Sequence, residues 1–306
     1  MADETTQAEV SAEEQKEAKK NIHMSQVRKT RKNLAYLQSK KDKGEKIVQT
    51  CPVALGPAFA MGAELADVDI IRVCSLLNCH NMEEEEWAAI PTIREYRQMA
   101  PNIHINYYPP TSAYASKEKA LAFSSNLIQN GADTVLPMGV TNETLRYMTD
   151  NYVPVYGHVG SISGWQTVAT GYKKLGKTAE EAYKIFKMAY EYQENGMGCL
   201  TIELVPGEVS AAVAKKLRIP VIGIASGCTG GDIDVDGYEM VDMDTFGMMP
   251  GAASHVKKFA DLMPFMIGAY AQWVNEVRTN AYPAESNGWH MDPEELEKFN
   301  ELIAEI

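Results

Sequence analysis

From Lys46 onward, short β-rich runs alternate with stretches of helical length, and this alternation narrows the possible folds more than any other feature of the chain. The runs fall at residues 47–50, 69–74, 103–107, 134–136, 153–158, 199–203 and 221–224. Between them lie patterns that predict helices at 56–65, 83–99, 117–130, 142–151, 179–195 and 208–217. Thr178 and Glu181 have capping-box spacing at the start of one of these helices, and Gly196 can end it. Strand–helix alternation at this spacing builds a parallel sheet, because parallel neighbours need a crossover and a helix supplies it. Seven units with more chain to follow fit an α/β (β/α)8 TIM barrel better than a doubly wound sheet.

The bulk numbers are compatible with that fold. A chain of 306 residues with 45% hydrophobic content can bury one large core. Its net charge of −12 argues against nucleic-acid binding, which needs a basic surface to displace counterions. No apolar run reaches the roughly 20 residues that span a bilayer, and the acidic start of the chain is unlike a signal or transit peptide. Cys51, Cys74, Cys79, Cys199 and Cys228 form no CxxC pair or disulfide framework, so a reducing cytoplasm is the expected location.

The two ends depart from the alternation. Residues 1–45 read as a charged helical extension, acidic and then basic. Helices are expected up to Lys20 and over 25–39, either as a solvated arm or as a segment packing on a neighbouring subunit. Residues 46–306 form the barrel with C-terminal helices. Within them, 228–235 reads as a long Gly- and Asp-rich loop, and 252–279 as a long helix bent near Pro264. Pro293 opens a final helix.

In a barrel, reactive groups sit at the C-terminal ends of strands. Glu203 ends the run Cys199-Leu200-Thr201-Ile202 and precedes Leu204-Val205-Pro206. Partial desolvation there should raise its pKa toward that of a general base. His158 ends another run, between Gly157 and Gly160, where backbone can approach a ligand closely. Gly171-Tyr172-Lys173-Lys174-Leu175-Gly176-Lys177 is a glycine-bracketed loop suited to cover an anionic substrate, although an ordinary surface loop would read the same way.

These segments, read in order, resemble the ketopantoate hydroxymethyltransferase family, which adds a hydroxymethyl group to a branched 2-oxo acid. The resemblance rests on Gly157-His158-Val159-Gly160, Gly171-Tyr172 with Gly176-Lys177, Glu203 before Val205-Pro206, and Ile219-Pro220-Val221-Ile222-Gly223-Ile224 with Gly227. It continues at Asp236-Gly237, Asp244-Thr245-Phe246-Gly247 and Tyr282-Pro283-Ala284-Glu285, and spans roughly residues 46–288. It implies a (β/α)8 barrel that assembles as a homo-oligomer and a small-molecule acid substrate. It also implies Glu203 as the base, magnesium to polarise the 2-oxo acid, and a tetrahydrofolate derivative as one-carbon donor.

The first half of the chain departs from the family pattern. Its Gly-Asp-Ser-Leu-Gly segment corresponds to Cys74-Ser75-Leu76-Leu77-Asn78, which puts Ser75 where the metal-binding aspartate stands. The Asp-Pro ending of the third strand becomes Tyr107-Tyr108-Pro109-Pro110, and the Lys-x-Glu of the fourth becomes Leu136-Pro137-Met138. Magnesium requires hard oxygen ligands, so a metal-independent site is expected. Glu203 and His158 would be catalytic there, and Ser75, Tyr107, Tyr108 and Lys177 would bind substrate. Cys74, Cys79, His80 and His104 offer a weaker zinc reading, and Glu83–Glu86 reads as an acidic first helical turn. The expected function is one-carbon transfer or aldol/lyase-type C–C chemistry. The alternatives are the magnesium-dependent hydroxymethyltransferase reaction and a non-catalytic binding or structural subunit.

Overall fold

The computed structural model describes residues 31–52, 55–74, 82–162, 169–249, 251 and 253–304, with backbone only for 82–87. Eight strands run parallel: β1 (Ile47–Cys51), β2 (Ile70–Val73), β3 (His104–Tyr107), β4 (Thr134–Val135), β5 (Tyr156–Gly160), β6 (Cys199–Glu203), β7 (Val221–Ile224) and β8 (Gly237–Val241). Their order is β4-β3-β2-β1-β8-β7-β6-β5. A parallel bridge from Val135 to Val155 brings the two ends of the sheet together, so the sheet curls into a nearly closed TIM barrel. Crossover helices follow the first six strands: α2 (Pro57–Leu65), α3 (Met82–Met99), α4 (Lys117–Gln129), α5 (Asn142–Asp150), α6 (Ala179–Glu194) and α7 (Gly207–Lys216).

Strand side chains alternate between two cores, as a period of two requires. Outward residues such as Ile71, Val73, Ile105, Tyr107, Val135 and Ile202 pack with Ala89, Ile93, Ala120 and Leu145 of the helices. Inward residues such as Ile47, Ile70, Leu136, Tyr156, Cys199 and Ile222 fill the lumen. The lumen also holds a buried ion pair: an Arg72 guanidinium nitrogen lies 2.7 Å from Glu239 Oε2 and also donates to Thr201 Oγ1 at 2.8 Å. Burial alone would lower the Arg72 pKa, but Glu239 and its other electron-rich neighbours outweigh burial and raise it.

α1 (Leu34–Asp42) closes the N-terminal end of the barrel. Asn33 caps it by accepting from the Tyr36 N–H, and Leu37 is fully buried in the lumen cluster. Its charges are used internally. Lys40 pairs with buried Asp69 at 2.6 Å, the Tyr36 hydroxyl donates to Asp69 at 2.8 Å, and Lys41 pairs with Asp236 at 2.7 Å. For residues 32–41 the charge pattern therefore reflects ion pairs to strand starts and not a solvated face. The helix expected before Lys20 lies outside the described residues.

β8 was not singled out by the sequence pattern. It carries Glu239 in its centre, buried in the lumen and paired there with Arg72. Residues 228–235 form the expected loop, closed by Cys228 N–H to Ile233 O at 3.1 Å. β8 leads into a single turn, α8 (Asp242–Thr245), then α9 (Leu262–Arg278) and α10 (Pro293–Ala304). The expected long helix thus starts ten residues later than predicted. Pro264 falls in its first turn, where a missing N–H costs nothing, so it does not bend the helix. Cys51, Cys74 and Cys199 are buried cysteines and Cys228 is an exposed one. Among the described residues no helix is long and apolar enough to cross a membrane.

Candidate active site

Glu203 and His158 occupy adjacent strand ends. β5 and β6 pair with Gly160 opposite Glu203 and His158 opposite Thr201, so both side chains face the lumen near its C-terminal mouth. Both are buried, His158 at 1% and Glu203 at 7% exposure. His158 Nε2 lies 3.0 Å from Glu203 Oε2 and 3.1 Å from the Ser161 carbonyl oxygen. Both neighbours are acceptors, so the contacts assign the proton to Nε2. His158 Nδ1 is buried with no hydrogen-bond partner among the described residues.

The other carboxylate oxygen is also engaged. The Tyr172 hydroxyl, on a side chain 59% exposed, donates to Glu203 Oε1 at 2.6 Å. The loop carrying Tyr172 turns at Gly171 and Gly176, both with positive φ. It is fastened to the end of β6 by Leu175 N–H to Leu204 O at 3.1 Å. Burial pushes the Glu203 carboxyl up, as expected from the sequence. The His158 hydrogen bond and charge, the Tyr172 hydroxyl and Arg72 outweigh it, and the net shift is downward. The expectation of a raised Glu203 pKa is therefore corrected: its hydrogen-bonding and charged neighbours hold the carboxyl below its ordinary value.

The backbone around this pair is tightly drawn. Gly160 has φ +89°, and a Cβ there would collide with the Glu203 carbonyl oxygen. That carbonyl accepts from Ser161 N–H at 2.9 Å. Leu204 (φ 53°) and Ala225 (φ 48°), directly after β6 and β7, hold left-handed conformations unusual for residues with a Cβ. Strain of this kind concentrates at functional sites.

The remaining sequence candidates divide. Lys177 is exposed, and with Lys174 it lines a cavity of about 280 Å³ that includes Val205, Pro206 and Ser226 beside the Glu203 strand end. Tyr108 is buried in the lumen cluster with Cys74, Leu136, Met138 and Ile162. Tyr107 points the other way. It lies opposite Val73 and Val135 in register and is fully buried in the layer between barrel and helices, because adjacent strand residues face opposite sides. It is thereby removed from the lumen. Ser75 lies outside the described residues, as do Cys79 and His80, and the Glu83–Glu86 side chains are not described. His104 begins β3 at the opposite end of the barrel from Cys74, where it meets Lys32 O and Thr134 Oγ1. It cannot share a zinc ion with Cys74. Tyr172, which the flap reading included but did not assign to the site, is the partner that sequence reasoning missed.

The resemblance implies magnesium near the ends of β2, β3 and β4. The described residues there, Cys74, Tyr108, Leu136 and Met138, form a buried and largely apolar cluster. That donor set does not fit a hard divalent cation. Among the described residues no group of three or more His, Cys, Asp or Glu side chains could hold a metal.

Comparison with known proteins agrees with this architecture. Solved structures of similar fold include phosphoenolpyruvate phosphomutase from Streptomyces platensis subsp. rosaceus (TM-score 0.52, 11% identity, 90% of this chain and 99% of that one). Another is 2,3-dimethylmalate lyase (TM-score 0.51, 10% identity, 89% and 98%). Sequence relatives are named 3-methyl-2-oxobutanoate hydroxymethyltransferase. The Geobacillus kaustophilus protein is 31% identical over 83% of this chain and 93% of its own length. The Nitrosopumilus maritimus protein is 33% identical over 64% and 69%. The Methylibium petroleiphilum protein, 3-methyl-2-oxobutanoate hydroxymethyltransferase 1, is 27% identical over 89% and 94%. The model of the ketopantoate hydroxymethyltransferase family matches residues 31–285. The chain belongs to the ketopantoate hydroxymethyltransferase family, a family of transferases.

Proposed function

We propose that this chain catalyses one-carbon transfer or aldol/lyase-type C–C chemistry on a small oxo- or carboxy-acid, with Glu203 as general base and without a divalent metal. The observation that carries the reading is the Glu203 carboxylate at a strand end of the barrel mouth, held on one oxygen by His158 and on the other by Tyr172. A carboxylate in this position can accept a proton from the carbon next to a carbonyl, and its hydrogen bonds fix its direction. Tyr172 approaches from the mouth and is the more exposed of the two partners. A substrate that displaces it removes a hydrogen bond to the charged form and makes Glu203 a stronger base.

His158 positions the carboxylate through Nε2 and presents Nδ1 inside the site as a polar contact for substrate. Lys174 and Lys177 supply positive charge beside the strand end for an acidic substrate. The metal-free part of the reading rests on the chemistry of Cys74, Tyr108, Leu136 and Met138. A tetrahydrofolate derivative is the proposed one-carbon donor, by family membership. The test is turnover of 3-methyl-2-oxobutanoate and related small 2-oxo acids with methylenetetrahydrofolate. Glu203→Gln should lower turnover by roughly 10²–10⁴-fold, the usual contribution of a positioned base. Unchanged turnover in that variant contradicts the assignment.

A further inference from the structure

Glu203 on β6 and Glu239 on β8 are both buried carboxylates, and they share one buried guanidinium, that of Arg72 on β2. Arg72 pairs with Glu239 at 2.7 Å, and its charge also reaches Glu203, whose carboxyl it helps to lower. Thr201 joins the two levels of the lumen. Its hydroxyl accepts from Arg72 at 2.8 Å, and it lies opposite His158 and two residues before Glu203, on the same strand face. An acidic substrate at Glu203 adds another negative charge to this low-dielectric space, where like charges repel far more than in water. A divalent cation would offset that charge, but the cluster of Cys74, Tyr108, Leu136 and Met138 does not suit one. A proton is the other source of compensation.

Within the Arg72–Glu239 pair, only the carboxylate can change its charge. The neighbours of Arg72 hold its pKa above the ordinary arginine value, so it keeps its proton. Burial pushes the Glu239 carboxyl up, and Glu203 adds to that push. Arg72, His158 and Gln49 oppose it, and the net direction is upward. Tyr156 and Asp242 are the other titratable groups in electrostatic reach of Glu239, and burial raises both of them. Glu239 Oε2 is engaged by Arg72 and Thr201, whereas Oε1 is buried with no hydrogen-bond partner among the described residues.

Gln49 gives Oε1 a partner in either protonation state. It lies opposite Glu239 in register, and its Nε2 is likewise without a partner among the described residues. Its Oε1 accepts from the Tyr156 hydroxyl at 2.8 Å, and that hydroxyl lies 3.0 Å from Thr201 Oγ1. Turning the carboxamide over points its oxygen toward a protonated Glu239. Nε2 then donates to Tyr156, and the Tyr156 hydroxyl donates on to Thr201. A proton on His158 Nδ1 has no such acceptor among the described residues.

We propose, building on the metal-free reading of the site, that binding of a small acid at Glu203 brings a solvent proton onto Glu239 Oε1 and frees the Arg72 guanidinium to serve as the ligand's counter-charge. Arg72 and Glu239 act on the ligand through charge and not through contact, so both are positioning residues.

The test is calorimetric titration of the full chain with 3-methyl-2-oxobutanoate and with pyruvate, in EDTA and in two buffers of different ionisation enthalpy. The parent protein should take up about one proton per acid bound. Because the proton is a co-ligand, Kd should rise by about tenfold for each pH unit above neutrality. Glu239→Gln fixes the neutral form and should bind without uptake and with a flat pH dependence. Arg72→Met combined with Glu239→Val removes the pair without stranding a charge, and keeps the test available if Glu239→Gln does not fold. It should bind at least tenfold more weakly than the parent and without uptake. Binding by the parent without proton uptake overturns the proposal, as does uptake that persists in either variant. Absence of binding in EDTA overturns the metal-free reading, and the proposal with it.

Discussion

The Tyr172 hydroxyl and the Glu203 carboxylate, 31 residues apart in sequence, meet at 2.6 Å over the mouth of the barrel. This contact joins the glycine-bracketed loop to the strand-end acid and helps hold the carboxyl below its ordinary pKa. Tyr172→Phe removes the hydroxyl and keeps the ring. The Glu203 pKa should then rise, moving the acidic limb of the rate profile to higher pH. Thermal stability should change little, because the ring is more than half exposed. A pH–rate profile identical to that of the parent would show that the contact has no role in setting the base.

Gly160 makes the approach of β5 to β6 possible. Its φ of +89° and the place a Cβ would take against the Glu203 carbonyl oxygen leave no room for a side chain. Gly160→Ala should destabilise the fold by more than about 1 kcal/mol, the usual cost of alanine at a positive φ. It should also displace Glu203 relative to His158. Denaturant unfolding and turnover, measured on the same preparation, read both effects.

The Arg72–Glu239 pair sits in the lumen beneath the site at 2.7 Å. Removing one partner strands a buried charge, so Arg72→Met or Glu239→Val alone should cost about 3–5 kcal/mol. The double variant should recover most of that loss, since a buried pair can be replaced by apolar groups of similar volume. A double variant as unstable as the sum of the singles would rule out this coupling.

Asp242 gives a pH signature of its own. Its carboxyl is pushed up to about 7, chiefly by burial and further by Glu239, against the backbone N–H of Cys51. The Thr50 hydroxyl donates to the same side chain. Because the folded pKa exceeds the unfolded value near 3.8, the group favours the fold at low pH and disfavours it as pH rises through 7. Asp242→Asn should therefore raise the melting temperature more at pH 8 than at pH 5. The gain at pH 8 is bounded at on the order of 4 kcal/mol. An equal change at both pH values would contradict the burial account.

The strand–helix alternation made most of the barrel readable, because period-two and period-3.6 patterns are local. β8 escaped because its central Glu239 is compensated by Arg72, which lies far away in sequence on β2. Whether Tyr107 or Tyr108 faces the lumen could not be read from two adjacent aromatics. Strand register decides it, placing Tyr108 inside and Tyr107 against the helices. Glu203 and His158 were legible as strand-end polar residues. The direction of the Glu203 shift was not, since it depends on contacts with Tyr172, His158 and Arg72. Likewise, the charges of α1 read as a solvated pattern until Asp69 and Asp236 are seen beneath them.

The central claim is that Glu203 serves as base at a site that does not use a divalent metal. The most direct measurement is solvent deuterium exchange into carbon 3 of small 2-oxo acids, including 3-methyl-2-oxobutanoate. It is run on purified protein with EDTA, with added magnesium, and with Glu203→Gln. The account predicts exchange at equal rates with EDTA and with magnesium, lost in Glu203→Gln. Exchange that appears only with magnesium, or that persists in the variant, would contradict it.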